Sequence, residues 1–464
     1  MPRAWPFVVA AMGIAAANFL LHLGASSLFV DEVYSWHHAS TPLGDLIEEV
    51  RVNAISPPAY FAALHVWIGR LGADADWAMR LPSVLCAVAL VPVAWDLARR
   101  MGGPVAGVVA AFSCALSPLV LDYAQQVRGY ASAMLVCALV AWCALRAVER
   151  ERAGAPWALA AGLLAALAYA IHYTTAFATV PFLGWLALRR SLPGWARAGA
   201  VVPLGLVGLL LLPLMIDQLE SGRQAAISPF ARLTWENVLE VLGTPWDSRA
   251  EDPAALQALA AAVTVAAVVL LARRRDAASR VIAVAAAGPV AAAFVATLVS
   301  DDAIVTRYTS ISAPAAIVAV AVAVAGRTGA QRALAVAALA LVAVTGTVRG
   351  HGEGARFADA RAAIERIAAD SGGVEPIVTP PHDVSVNLPV RYYVGRELPA
   401  RAPIVEAHEG PRLGAILRDA PAVWYVGRDG QDAGAFFAKF GFHSERVARF
   451  DAGLPLVLTR AERD

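Results

Sequence analysis

The chain is poor in charge and nearly devoid of lysine. Only 16% of its 464 residues are Asp, Glu, Lys or Arg, and Lys439 is the single lysine, so arginine carries almost all of the positive charge. Soluble globular domains hold roughly 25% charged residues. With 58% hydrophobic residues and a mean hydropathy of +0.58, the composition excludes an ordinary water-soluble protein. The formal net charge of +1 leaves no basic stripe for a phosphate backbone, which argues against nucleic acid as a partner. Cysteine is scarce as well. Cys86, Cys114, Cys137 and Cys143 lie inside apolar runs, so they read as small core hydrophobes and not as a disulfide framework or a metal-ligand set. His-x-x-His, His-Glu-x-x-His and Cys-x-x-Cys patterns, internal repeats and a Gly-rich phosphate loop are all missing. A protein-built transition-metal site therefore has little support, and no metal ligand is assigned.

What the chain has is apolar length. Runs near 5–29, 79–98, 104–121, 130–148, 156–171, 174–188, 198–216, 255–272, 281–299, 309–325 and 332–348 approach the 17–25 residues that a membrane-crossing helix needs. They predict about eleven spans. The first follows Met1-Pro2-Arg3 but is longer than a signal-peptide core, so it reads as a retained anchor. Arginine clusters alternate with acidic connections along the chain. Arg99-Arg100, Arg146, Arg150 and Arg152, Arg189-Arg190, Arg273-Arg274-Arg275 and Arg327 fall on one side. Asp31, Glu32, Asp122, Glu220, Glu236, Asp247, Asp252, Asp301 and Asp302 fall on the other. The positive-inside tendency then places the N-terminus in the cytoplasm and the C-terminus outside.

Two outer connections are elaborated. Residues 30–78 hold a predicted helix near Pro42–Val52 and an amphipathic run from Ala59 to Arg70, too short to cross a bilayer, that is expected at the outer interface. Residues 217–254 form the second, and loops of such length are usually functional or disordered. Beyond about Gly350 the composition changes. Phe357, Ala360, Ile364 and Ile367 recur at helical spacing, and the runs Pro376–Thr379, Ala422–Val426 and Leu454–Leu458 read as strands. The expected architecture is a polytopic α-helical membrane domain, residues 1–350, followed by a small extracytoplasmic α/β domain, residues 351–464.

Three outward-facing strings carry groups fit for chemistry. Asp31-Glu32 follows the first span where the hydrocarbon ends, a place at which carboxylates are costly unless hydrated or partnered; it is also where a general base belongs, although a solvated loop start explains it equally. In Asp122-Tyr123-Ala124-Gln125-Gln126-Val127-Arg128-Gly129-Tyr130 an arginine breaks the positive-inside tendency, and its planar guanidinium suits a phosphate as well as it suits a lipid headgroup. Arg80 and Arg307 share its side. His172-Tyr173 lies between the fifth and sixth spans, where an interfacial anchor is the plainer reading.

The order of these strings resembles the GT-C glycosyltransferases. It runs Asp31-Glu32, Pro57-Pro58-Ala59-Tyr60 with His65, Arg80-Leu81-Pro82-Ser83, Leu116-Ser117-Pro118, Tyr123 to Tyr130, His172-Tyr173 and Arg307-Tyr308. Within them it is most similar to the bacterial branch related to protein O-mannosyltransferases and the lipid A aminoarabinose transferase. The resemblance covers about residues 1–350 and implies transfer of a sugar from a polyprenyl-phosphate donor to an envelope glycan, lipid or protein at the outer face of the cytoplasmic membrane. It implies Asp31 as the base for the acceptor hydroxyl, with Glu32 its companion, and Arg128, supported by Arg80 and Arg307, at the donor phosphate. His65, Tyr123, Gln126, Tyr130, His172, Tyr173 and Tyr308 are implied as cleft-lining. Two positions depart from the family: Ser56 stands where a His often precedes the Pro-Pro pair, and Gln126 where a Glu is common. Both remove a charge or proton-transfer group near the cleft, which leaves the acceptor and a divalent cation requirement open while the reaction class stands. One carboxylate and a single displacement imply inversion at the anomeric carbon. A transporter or flippase would also show many spans and charged cleft residues, but it should carry paired interrupted helices. A non-catalytic scaffold would make Asp31 dispensable.

Overall fold

The computed structural model describes residues 5–220, 234–244, 246, 253–299, 306–352, 359–398, 402–431, 433–451 and 455–463. Met1, Pro2, Arg3, Phe357, Leu454, Asp247, Asp252, Asp301 and Asp302, and with them most of the outer connection 217–254, lie outside the described residues, as does the side chain of Glu236. The chain forms two compact units. The first comprises the segments through Leu21, His38–Asp74 and Ala78–Gly350; the second comprises His22–His37, Ala75–Trp77 and the chain from His351 onward.

The first unit is helical: α1 (Trp5–Leu20), α3 (Leu46–Asn53), α4 (Ala59–Leu71), α5 (Asp76–Ala115), α6 (Pro118–Ala124), α7 (Tyr130–Glu149), α8 (Ala155–Ile171), α9 (Thr175–Ala187), α10 (Gly194–Glu220), α11 (Trp235–Gly243), α12 (Ala254–Ala272), α13 (Ala277–Val299), α14 (Thr306–Thr309), α15 (Ala313–Ala325) and α16 (Gly329–Gly352). Among the described residues, eight helices are long and apolar enough to cross a membrane, and α1 and α9 are shorter apolar helices. The chain is a multi-pass membrane protein. Each predicted run overlaps at least one of these helices, the run 104–121 passing from α5 onto α6. Two of the runs share α5, which Gly103 interrupts with a backbone (φ 83°, ψ −175°) that only glycine adopts readily. Helix α15 is buried along nearly its whole length, whereas Leu206, Leu209 and Leu210 of α10 are exposed, as expected of a face turned to lipid. Helices α8 and α10 pack closely because Gly162 meets the Gly199 carbonyl at van der Waals range with no Cβ between them.

One end of the bundle is an arginine–tryptophan belt. Asp96 binds Arg99, Arg100 (2.5 Å) and the Trp142 indole N–H (2.8 Å), and Arg100 also pairs with Glu149. The first predicted span is shorter than its apolar run. His22 adopts φ 59° and ends the helical path, so α1 stops at Leu20 and the apolar residues up to Phe29 belong to the second unit. Asp31 and Glu32 therefore do not follow directly on the first span. They occupy the first turn of a separate helix, α2 (Val30–Ser40).

The second unit is built on a five-stranded sheet of order β2-β1-β3-β5-β4, with β1 (Ile377–Thr379), β2 (Ile404–Glu406) and β3 (Ala422–Arg428) parallel and β5 (Leu456–Arg463) and β4 (Phe442–Phe450) antiparallel. Alternate residues of the buried strand β3 face opposite layers. Val423 and Tyr425 meet α19 (Gly410–Asp419) and α20 (Ala433–Ala438) through Leu413, Leu417 and Phe437. Trp424 faces the other way, its indole N–H bonded to Ser371 (3.2 Å) at the end of α17 (Ala360–Ser371). Helix α18 (Val384–Glu397) packs beside α17. Strands β1, β3 and β5 answer the predicted runs; β2 and β4 were not predicted.

Candidate active site

In the first unit the turn between α6 and α7 is built tightly. Ser117 caps α6 by accepting the Val120 N–H (3.2 Å), with Pro118 at its first turn. Ser83 of α5 donates to the Gln126 carbonyl (2.7 Å) and lies 3.4 Å from that of Arg128, and Ser132 donates to the Gly129 carbonyl (2.8 Å). Gln126 turns its amide back to Asp122 (3.2 Å). Gly129 is pressed so closely against Tyr60 and Ile171 that a Cβ there would stand 3.2–3.3 Å from them. Arg128 is thus held on a turn whose carbonyls are fixed from α5 and α7.

Around that turn the aromatic residues form a chain. Ring centroids lie 4.7 Å apart for Tyr123 and Tyr130, 5.3 Å for Tyr130 and His172, and 6.3 Å for His172 and Tyr308. The Arg128 guanidinium sits 5.7 Å from the Tyr130 ring centre and the Arg307 guanidinium 5.2 Å from that of Tyr308, distances at which a cation is attracted by the ring face. Ser56, Pro57, Tyr60, Arg128, Tyr130 and His172 line one cleft. His172 ends α8 in an extended conformation and shares a hydrogen bond with the Thr174 hydroxyl (2.7 Å). Burial, followed by the positive charge of Arg128 and of Arg307, pushes its imidazole down to about 3, so it is neutral at physiological pH. Burial likewise holds the Tyr123 hydroxyl protonated, with Tyr130, Arg307, Glu240 and Arg128 all close enough to act on it. Arg128 and Arg307 flanking a neutral imidazole among aromatic rings make a setting suited to an anionic group with an apolar attachment.

The first unit brings Tyr123, Gln126, Arg128, Tyr130, His172, Arg307 and Tyr308 together. Arg80 is 2% exposed and lies one turn before Ser83 on α5. Tyr173 points elsewhere, its hydroxyl bonded to Gln218 (3.1 Å) of α10, whose amide in turn donates to the Val50 and Ser56 carbonyls (3.1 and 3.3 Å). His65 is engaged with the Ala39 carbonyl (2.7 Å) and is not among the residues lining the cleft. Sequence reading placed Ser83 and Tyr60 in motif strings without giving either a role, and it missed Gln218 as part of this arrangement. A buried Gln at the end of an otherwise apolar helix was the available signal for Gln218.

Asp31 and Glu32 belong to the second unit. Glu32 is 1% exposed and reaches back to accept the Phe29 N–H (3.2 Å), the carboxylate half of a capping box. Asp31 is half-buried, and its carbonyl accepts from Ser35 (2.9 Å). The segment leading into α2 is tied to the α/β fold. Ser27 donates to Asp359 (2.6 Å), the Tyr393 hydroxyl accepts the Leu28 N–H (2.7 Å), and Arg361 reaches the Gly24 carbonyl (2.8 Å) and the Asp76 carboxylate (3.2 Å).

Three comparisons place this geometry. A family profile described as dolichyl-phosphate-mannose-protein mannosyltransferase matches residues 56–216. No curated protein sequence matches the chain. Among solved structures, ArnT from Cupriavidus metallidurans in the apo state is similar at 14% identity over 98% of both chains, with a TM-score of 0.63. The same protein bound to undecaprenyl phosphate is similar at 15% identity over 99% of this chain and 98% of that one, with a TM-score of 0.61. The Archaeoglobus fulgidus oligosaccharyltransferase in complex with Zn and sulfate is similar at 11% identity over 93% of this chain and 69% of that one, with a TM-score of 0.53. The chain has the fold of the GT-C membrane glycosyltransferases, and its residues 56–216 match the protein mannosyltransferase profile within them.

Proposed function

We propose that the protein transfers a sugar from a polyprenyl-phosphate donor to a cell-envelope acceptor at the outer face of the cytoplasmic membrane. The observation that carries this is the convergence of Arg128 and Arg307 on the Tyr130–His172–Tyr308 rings at helix ends. A phosphate whose apolar tail dissolves in the bilayer presents its charge at that depth. In the reaction the acceptor oxygen forms a bond to the anomeric carbon as the bond from that carbon to the phosphate oxygen breaks. The acceptor proton passes to the Asp31 carboxylate and the polyprenyl phosphate departs as an anion. The leaving group needs positive charge and no proton, so Arg128 and Arg307, with Arg80, act where charge develops; Asp31 acts as general base. Glu32, used as the cap of α2, holds Asp31 at the helix start. A single displacement inverts the anomeric configuration. The proposed division is a membrane transferase domain over residues 1–350 and an extracytoplasmic domain over 351–464, with the N-terminus cytoplasmic. Neutral His172 and the Tyr130 ring line the donor pocket.

Native mass spectrometry of the purified protein tests the reading. A co-purifying polyprenyl-phosphate sugar is the expected result, and its mass names the sugar. Lipid flipping or uptake that survives both Asp31→Ala and Arg128→Ala, with no sugar transfer detectable, overturns it.

A further inference from the structure

We propose that His382, Glu406 and His408 form a binding site for one divalent transition-metal cation of the zinc type on the α/β fold of the second unit. The site follows from strand register. Parallel strands β1 and β2 pair Thr379 with Glu406, and the Ala407 N–H continues the ladder to the Thr379 carbonyl (2.9 Å). The loops leaving both strands therefore emerge side by side at the carboxyl edge of the parallel part of the sheet, the edge where open α/β sheets bind ligands.

Within those loops the three donors lie close together. His382 stands in the left-handed region at φ 57°, a backbone that costs a residue with a Cβ, and its N–H is held by the Glu406 carboxylate (3.2 Å). The two imidazole rings lie 4.1 Å apart between centroids, inclined by 35°. One donor atom from each of the three side chains falls within 4.8 Å of the others. Donors around a zinc ion at about 2.1 Å stand roughly 3.4 Å apart, a closure that side-chain rotation supplies at a surface. The carboxylate is oriented from behind. Its Oε1 lies 3.6 Å from Arg391 of α18, and its Oε2 lies 3.5 Å from His408 Nδ1. Glu409 is also held near Arg391 (3.8 Å) and accepts the Glu406 N–H (3.1 Å), so the arginine is shared between two acids. Two imidazoles and one carboxylate suit zinc, nickel or copper over calcium or magnesium, and three protein donors leave a position for water. The site is built from residues of the second unit alone and does not depend on the glycosyltransferase reading.

The test uses the full chain in detergent with any purification tag removed and metal stripped by a chelator. Zn²⁺ is titrated in competition with a chromogenic chelator, and bound metal is counted by elemental analysis. One equivalent should bind. His408→Ala and His382→Asn should each lower the affinity by about 10-fold or more. Asparagine is chosen at 382 because it tolerates the left-handed backbone, so the fold survives; an unchanged melting temperature in chelator confirms this. A double substitution of His22 and His351, whose rings lie 6.0 Å apart in the same unit, should leave binding intact. Absence of stoichiometric Zn²⁺, or binding that persists unchanged in both the 382 and 408 variants, overturns the proposal.

Discussion

The Tyr393 hydroxyl donates to the Asp76 carboxylate at 2.5 Å while accepting the Leu28 N–H at 2.7 Å. One oxygen thereby ties the segment before α2 and Asp76, both of the second unit, to the α/β fold. Burial, reinforced by the Asp76 charge, holds that hydroxyl well above its ordinary range, so the proton stays on it. Arg361 completes the arrangement by binding the same carboxylate.

Tyr393→Phe removes both bonds and leaves a buried backbone N–H and a carboxylate short of partners, a loss of roughly 1–3 kcal/mol. Because the tied segment leads directly to Asp31, turnover should fall while donor KM stays near that of the parent. An unchanged kcat would separate the α/β fold from the positioning of Asp31.

Asp31 and Arg128 should fail in different ways. Asp31→Asn is expected to retain donor and lose about 10²–10⁴-fold in rate. Arg128→Ala is expected to weaken donor binding by about 1.5–3 kcal/mol, the value of a charge-assisted contact. Donor binding by calorimetry beside single-turnover transfer reads both. Equal loss of donor affinity in the two variants would contradict the separate roles.

His172 sets an acid limit. Its folded value of about 3 lies below the ordinary 6.5, so between those pH values the unfolded chain takes up the proton and the folded one does not. Stability from this group is therefore whole above pH 6.5 and falls progressively as the pH drops toward 3. Thermal melting in detergent, followed by tryptophan fluorescence, should show a shallower acid slope in His172→Gln. Near neutrality His172 contributes no charge, so donor affinity should show no inflection at pH 6.5 that this substitution removes.

A Cβ at Gly162 would collide with the Gly199 carbonyl. Gly162→Val should push α8 and α10 apart and lower the melting temperature, with overpacking costing about 1–3 kcal/mol. Gly184→Ala, where a Cβ meets nothing within 4 Å, serves as the control and should melt as the parent does.

Sequence by itself determined the membrane character, the helices and the existence of a terminal α/β part. Those properties are set locally: a run of apolar side chains crosses a bilayer whatever its neighbours do, and the amphipathic run from Ala59 to Arg70 became α4 because its period is intrinsic. The order of short strings was legible too, since each lies at a helix end. Where the reading erred, local pattern was overruled. Apolar residues carried the first span on to Phe29, but the positive φ of His22 turned the chain away. Strand β2 is three residues long, and the largely polar β4 lies at the sheet edge, so neither carried a strand signal. Only the tertiary structure decided which groups meet. Arg128, His172 and Arg307 stand at the ends of different helices, and their convergence depends on how those helices pack. His382 and His408 come together through the register of two parallel strands, and no spacing along the chain encodes that register.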